Sequence, residues 1–379
     1  MLKYITTGES HGKCLIAVVE GLPAGLKIDT ESINRELARR QGGYGRGPRM
    51  KIEKDTVELL SGTRKGLSIG SPIALKIKNA DYSIEDLPEL IRARPGHADL
   101  AGAMKYSFHD MRNVLERASA RETAARVSAG TLANTLLKGF NINVLGYVVG
   151  IGGFLASPVA KDPQELRQCR DASPIYCPDK QAGKAMLDRI KEVEKAGDTV
   201  GGIIEVVAFG VPPGLGSYAQ WTDRLDGRLA RAAMAVQAIK GVEIGLGFVL
   251  ANASGSQVHD EIFYDKSKKG LTGGFYRKTN NAGGLEGGIT NGEPVVLRAA
   301  MKPIPTLRKP LASVELSSKK TAEAAAERSD VCAVPAASVV LEAVVAFELA
   351  SAFLEKFGGD SVEEVKRNYA GYLEQIRGL

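Results

Sequence analysis

The chain has 379 residues, 44% hydrophobic and 25% charged, which excludes a disordered or fibrous polypeptide and leaves ample length for a buried core. Lys and Arg outnumber Asp and Glu by 50 to 44, a net charge of +6 that favours anionic ligands over nucleic acid, since aromatics are only 6% and no dense basic stripe appears. Cys14, Cys169, Cys177 and Cys332 form no CxxC pair, and Cys169 and Cys177 lack nearby histidines, so the four read as free thiols in a reducing compartment with no metal site.

In chain order, MLKYITTGESHG offers no apolar run for a signal peptide, and a cytoplasmic protein is expected. GESHGK, Gly8–Lys13, frames His11 with glycines, which let the backbone turn tightly or approach a ligand. CLIAVVEGLPAG is a β-branched run closed by a turn, and DTESINRELARRQ is a helix over Glu31–Arg40 with Asp29 or Thr30 as its N-cap. RRQGGYGRGPRMK, Arg39–Lys51, sets arginines among glycines, either as an anion site or as a flexible loop or nucleic-acid-contacting arm. RARPGHADLAG displays His97 on a rigid turn, whereas His109 and His259 lack a glycine frame and read as surface or structural residues.

A long helix is expected from about Asn113 to Lys138, with Arg117 and Arg121 one turn apart on one face; the alternative is a solvated face in which they pair with Glu116 and Glu122. The uncharged run 139–160 is broken by glycines and a proline, so it reads as strands and turns and not as a membrane span. Asn291-Gly292 signals a tight hairpin, and MKPIPTL is an edge or a ligand wall, because Pro303 and Pro305 prevent regular pairing. Asp330 either caps the following helix or serves as a site acid, and that helix, about Pro335–Phe357, is apolar nearly all round, hence buried.

The chain also resembles itself. GESHGKCLIAVVEGLPAGL at 8–26 aligns without gaps with GDTVGGIIEVVAFGVPPGL at 197–215, and LAR, GSPIALK/GEPVVLR and ER recur in the same order. Two such units, with strands outside and long apolar helices inside, predict an α+β, β-α-β layered sandwich with internal duplication. No linker divides it, so a single domain over 1–379 is expected, with pseudo-repeats of about 1–190 and 191–379. Two displayed histidines, arginine-rich glycine loops and one acid at a helix entrance suit an enzyme acting on a small, multiply anionic phosphate ester.

Taken together, TGESHG, RRQGGYGRGPRMKIE, RPGHADL, RASARET, GDTVGG, GLGSYAQW, KGVEIGLGF, TNNAGGLEGGITNGEP, MKPIPTL and ERSDVCAVPA resemble the chorismate synthase family, in the family's order and from Thr7 to about Gly359. The resemblance implies a lyase of aromatic amino acid biosynthesis, the last step of the shikimate pathway. Phosphate and a hydrogen leave 5-enolpyruvylshikimate 3-phosphate by 1,4-anti elimination to give chorismate, with reduced FMN required but no net redox change. It assigns His11 to protonating the departing phosphate, His97 to the charge of the reduced flavin ring, and Asp330 to accepting a proton from flavin N5. Ser10, Arg40, Arg46, Arg49, Arg94 and Arg121 would bind substrate, Arg40 and Arg46 being sometimes ascribed to a nicotinamide nucleotide. The flavin would be held by Arg117, Ala118, Ser119, Gln237, Ala238, Gly287, Lys302, Pro303, Ile304, Pro305, Thr306 and Arg328. The resemblance further implies a homotetramer of the monofunctional type, with NADPH at most an upstream reductant and no nucleic-acid or membrane partner.

Two departures stand out: the segment between Lys78 and Arg94 is shorter than in the family and lacks a tryptophan, and Ala118 replaces a frequent serine. Two rivals predict different behaviour. A basic nucleic-acid-binding protein would lose affinity steeply with salt and need no flavin. A flavoprotein oxidoreductase would consume nicotinamide in step with product.

Overall fold

Period-two burial makes Cys14–Glu20 a strand: Leu15, Ala17 and Val19 point into the core while their neighbours are half-exposed. The computed structural model describes residues 1–47, 52–157, 162–325 and 330–379. Its first part comprises β1 (Lys3–Thr7), β2 (Cys14–Glu20), α1 (Thr30–Gln41), β3 (Val57–Leu59), β4 (Ile73–Lys78), α2 (Asp99–Tyr106), α3 (Arg112–Ala118) and α4 (Thr123–Lys138). Then follow β5 (Asn143–Ile151), β6 (Phe154–Leu155), α5 (Pro163–Asp171), α6 (Lys180–Lys195), β7 (Gly202–Phe209), α7 (Leu225–Met234), β8 (Ile239–Ile244), β9 (Val295–Met301), α8 (Val334–Phe357) and α9 (Val362–Arg377).

The numbered strands form two antiparallel sheets, ordered β1-β2-β4-β3 and β8-β9-β7-β5-β6, and four two-stranded ribbons lie outside them among the described residues. The second order, read in reverse as β5-β7-β9-β8, repeats the first, so β2 and β4 correspond to β7 and β9, the strands that carry the paired sequence motifs. The strands of this second order start with β5 at Asn143, and α5 and α6 lie between β5 and β7 in the chain. Between the sheets lie α4 and α8, packed on each other, with α1 and α7 beside them. The fold is an α+β sandwich in one domain, with a helical middle layer.

Gly130 brings the two central helices together: a Cβ there would sit 2.4 Å from the Ala343 carbonyl oxygen. Helix α8 is long and apolar enough to cross a membrane, but 94% of its most apolar window is buried inside the protein. It is the core pillar, closed at Gly358 with φ +56°. The first helix is fixed at its start instead, where Asp29 caps α1 by accepting from the Glu31 N–H at 3.1 Å.

Two sequence expectations are corrected. The helix expected over 113–138 breaks at Ser119, whose extended backbone (φ −62°, ψ 140°) separates α3 from a short 3₁₀ turn at Ala120–Glu122. The Ser119 hydroxyl accepts from the Arg121 N–H at 3.3 Å, so a side chain competes with the helical bond. Arg117 and Arg121 therefore leave in different directions instead of sharing one face. The tight hairpin lies not at Asn291-Gly292 but at Gly287-Gly288 (φ +60° and +85°), joining Leu285–Glu286 to Ile289–Thr290. Asn291 instead accepts from the Glu293 N–H at 3.0 Å in a side-chain turn that leads into β9.

Candidate active site

The loop between β1 and β2 carries His11. Gly8 closes it with φ +104°, and a Cβ there would lie 2.3 Å from the Cys14 carbonyl oxygen, so only glycine fits. His11 Nδ1 is 2.8 Å from Glu116 Oε1 on α3, and the His11 backbone N–H donates to Glu116 Oε2 at 2.7 Å. One carboxylate thus fixes both the ring and its backbone, which directs proton exchange to Nε2. Burial opposes the Glu116 charge, but the bonds from the His11 ring and N–H, and then the charges of His11 and Arg112, outweigh it and hold its pKa below the ordinary carboxylate value. Ser10, buried beside His11, receives the Ser119 hydroxyl at 3.2 Å.

Behind this loop sits a node of arginines from both sides of the helix break. Arg121 Nη1 donates to Asp55 Oδ2 at 2.7 Å, and Arg40 Nη1 lies 3.5 Å from the same oxygen. Arg40 is further held by Thr123 Oγ1 and the Ala120 carbonyl, both at 2.9 Å. Burial first, and then the guanidiniums of Arg121 and Arg46, push the Arg40 pKa down to about 9 against the pull of Asp55. Arg40 Nη1 and Arg121 Nη2 are buried without a hydrogen-bond partner among the described residues. Each lies only at ion-pair distance from a carboxylate, Arg40 Nη1 3.5 Å from Asp55 and Arg121 Nη2 3.9 Å from Glu53.

Arg46 and the Gly47 N–H (2.6 Å) both bind the Asp330 carboxylate, latching the glycine-rich loop to the entrance of α8. Close packing requires Gly45, whose Cβ would come within 3.0 Å of Cys332 Cβ. Arg49 and Arg328 lie outside the described residues.

On the RPGHAD turn, His97 Nδ1 is 2.5 Å from Asp99 Oδ1. Arg94 turns inward and grips Asp99 through Nε at 2.8 Å and Nη2 at 2.9 Å, with Nη1 reaching Thr306 Oγ1 at 3.2 Å. Burial opposes ionisation of Asp99, yet His97 and Arg94 together hold it well below the usual carboxylate range. Lys302 Nζ donates to the Gly96 carbonyl at 2.7 Å and its backbone N–H to the Ala238 carbonyl at 2.9 Å, so the Lys302–Thr306 wall joins the His97 turn to Gln237-Ala238. The side chains of His11 and His97 remain 18% and 17% exposed, enough to meet a ligand from one side.

One acceptor beside this wall is unused. Gln237 Nε2 donates to Glu122 Oε1 at 2.7 Å, and its buried Oε1 is left without a partner among the described residues, an acceptor waiting for an N–H donor. Arg117 binds the Gly8 and Thr6 carbonyls, each at 2.8 Å, joining the Ala118-Ser119 corner to the His11 loop. Gly287 stands apart. Its hairpin is bonded to Leu225 at the start of α7, whereas Gln237-Ala238 follow that helix's far end, about 15 Å of helix away.

Sequence reasoning missed Asp55 and Asn79, and gave Glu116 and Glu122 only as arginine partners on a solvated helix face, whereas they are buried and hold His11 and Gln237. Those partners lie far along the chain. His109 and His259 are both exposed, in keeping with the surface reading of residues that lack a glycine frame.

Comparison with known proteins carries the argument from geometry to family. The family model described as chorismate synthase matches residues 2–354. Chorismate synthase from Geotalea daltonii is 58% identical and that from Geobacter sulfurreducens 56% identical, in both cases over the whole of each chain. A crystal structure of a chorismate synthase superposes with a TM-score of 0.82 at 43% identity, covering 100% of this chain and 99% of the other. Likeness on that scale in sequence and in fold makes the chain a member of the chorismate synthase family.

Proposed function

We propose that the chain eliminates phosphate from 5-enolpyruvylshikimate 3-phosphate to form chorismate, with His11, His97 and Asp330 as its catalytic residues. The observation that carries this reading is the pairing of a carboxylate-backed histidine with a neighbouring node of buried arginines. Arg40, Arg46 and Arg121, joined by Arg49, bind the substrate's phosphate and carboxylates, with Ser10 at the same loop. Arg94 acts through His97 by holding Asp99 in place.

His11, fixed at Nδ1, delivers a proton from Nε2 to the departing phosphate, and a positioned acid of this kind is worth about 10²–10⁴-fold in rate. Asp330 orders the Arg46 loop and stands ready as a carboxylate base. Reduced FMN supplies electron density to the breaking C–O bond when bound. The chain's part is to seat that cofactor between Arg117–Ser119, Gln237-Ala238, the Lys302–Thr306 wall and Arg328, to exclude water, and to keep His97 against it. Gly287, at the opposite end of α7 from Gln237-Ala238, is kept in this set only by the family resemblance. NADPH serves only to reduce the flavin beforehand. A homotetramer is supported by large exposed side chains such as Trp221 and Tyr218, each 80% exposed, and a cytoplasmic location by four free thiols.

His11→Ala tests the reading in anaerobic single turnovers. Flavin and substrate should still bind while phosphate release slows by about 10²–10⁴-fold. Weakened flavin binding with normal chemistry per bound flavin would remove His11 from the proton-donor role.

A further inference from the structure

Two groups that must act on one phosphate come from distant parts of the chain: His11 from the loop between β1 and β2, Arg121 from the turn between α3 and α4. One buried side chain touches both. Asn79, 4% exposed at the end of β4, donates from Nδ2 to the carbonyls of Glu9 (3.2 Å), Ser10 (3.2 Å) and Gly12 (2.6 Å), the residues around His11. Its Oδ1 accepts from Arg121 Nε at 2.9 Å. The partners fix the amide's orientation: a flipped carboxamide would set its oxygen against three carbonyls and its N–H groups against a guanidinium. Its own backbone N–H reaches the Lys13 carbonyl at 3.2 Å, so both ends of the loop are tied to this residue.

We propose that Asn79 is a positioning residue that registers the proton donor His11 against the anion-holding Arg121. Without its amide the Glu9–Gly12 backbone loses a shared anchor, and His11 is free to move relative to the phosphate. Arg121 keeps its bond to Asp55 at 2.7 Å, so anion binding survives. A misplacement of about 1 Å at a reacting group costs on the order of 100-fold in rate. The proposal rests on the reading of the reaction given above.

The test is a double-mutant cycle on the full chain with reduced FMN, comparing wild type, Asn79→Ala, His11→Ala and the double variant. It measures kcat for phosphate release and the Kd for 5-enolpyruvylshikimate 3-phosphate. Asn79→Ala should lower kcat by about 10–100-fold and change Kd by less than about threefold. In the His11→Ala background the same change should cost less than about threefold, because residues acting as a unit are not additive. Asn79→Ser, which keeps a hydroxyl donor, should fall between wild type and Asn79→Ala, and it replaces the alanine variant if that one does not fold. An equal loss in both backgrounds, or a rise in Kd that accounts for the whole loss, would overturn the role of Asn79. A wild-type protein that binds substrate but releases no phosphate would overturn the reaction itself, a result separable from either of those.

Discussion

Neutralising Glu116 with Glu116→Gln keeps the shape of its side chain and removes its charge. Glu116 is 3% exposed and its oxygens lie 2.8 Å from His11 Nδ1 and 2.7 Å from the His11 backbone nitrogen. The substituted carboxamide would present N–H groups where two donors now point, so one His11 bond must be lost or the imidazole must take the other tautomer. Either outcome loosens the ring against the departing phosphate, and kcat for phosphate release should fall about 10–100-fold. Because the folded Glu116 carboxyl ionises below its usual value, its charge stabilises the fold above about pH 4.3 and is lost as pH falls through its lowered pKa. The variant should therefore lose less stability on acidification. The assays are anaerobic phosphate release with substrate Kd measured alongside, and urea unfolding at stepped pH. An unchanged kcat would show that the two bonds from Glu116 do not position His11, and would refute the reasoning.

Asp99→Asn should flatten the acid limb of stability: with its pKa depressed by His97 and Arg94 against the opposing effect of burial, Asp99 stabilises the fold above about pH 4 and loses that contribution below it, which urea unfolding at stepped pH will show. Asp55→Asn leaves the buried guanidiniums of Arg40 and Arg121 without their shared carboxylate, an expected loss of about 3–5 kcal/mol in urea unfolding; a change under about 1 kcal/mol would contradict the node. Gly130→Ala pushes a Cβ to 2.4 Å from the Ala343 carbonyl oxygen and should cost about 1–3 kcal/mol by parting the central helices, with little change in activity per folded molecule.

Local signals carried far in this chain. Asp29 ahead of TESINRELARRQ located the first helix, and the apolar run up to Gly358-Gly359 located the central pillar, because caps and burial periodicity act over a few residues. The paired motifs reached the duplicated sheets for the same reason: corresponding strands keep their own sequence. Ser119 was opaque, since LERASARET has helical composition and the break depends on Arg121 reaching Asp55 and Asn79, 66 and 42 residues away. The hairpin at Gly287-Gly288 lost out to the stronger-looking Asn291-Gly292 pair, whose asparagine spends its side chain on Glu293. In the site, the glycine-framed histidines and arginine loops were visible. Their buried supports were not, because Glu116 meets His11 across 105 positions and nothing near Glu116 announces it.

The most direct test of the central claim is anaerobic: 5-enolpyruvylshikimate 3-phosphate is mixed with the protein and a sub-stoichiometric amount of chemically reduced FMN, and chorismate and phosphate are followed together. The account predicts equal amounts of both over many turnovers per flavin, with the flavin still reduced at the end. Product limited to the flavin supplied, with that flavin oxidised in step, would contradict it and make the protein an oxidoreductase.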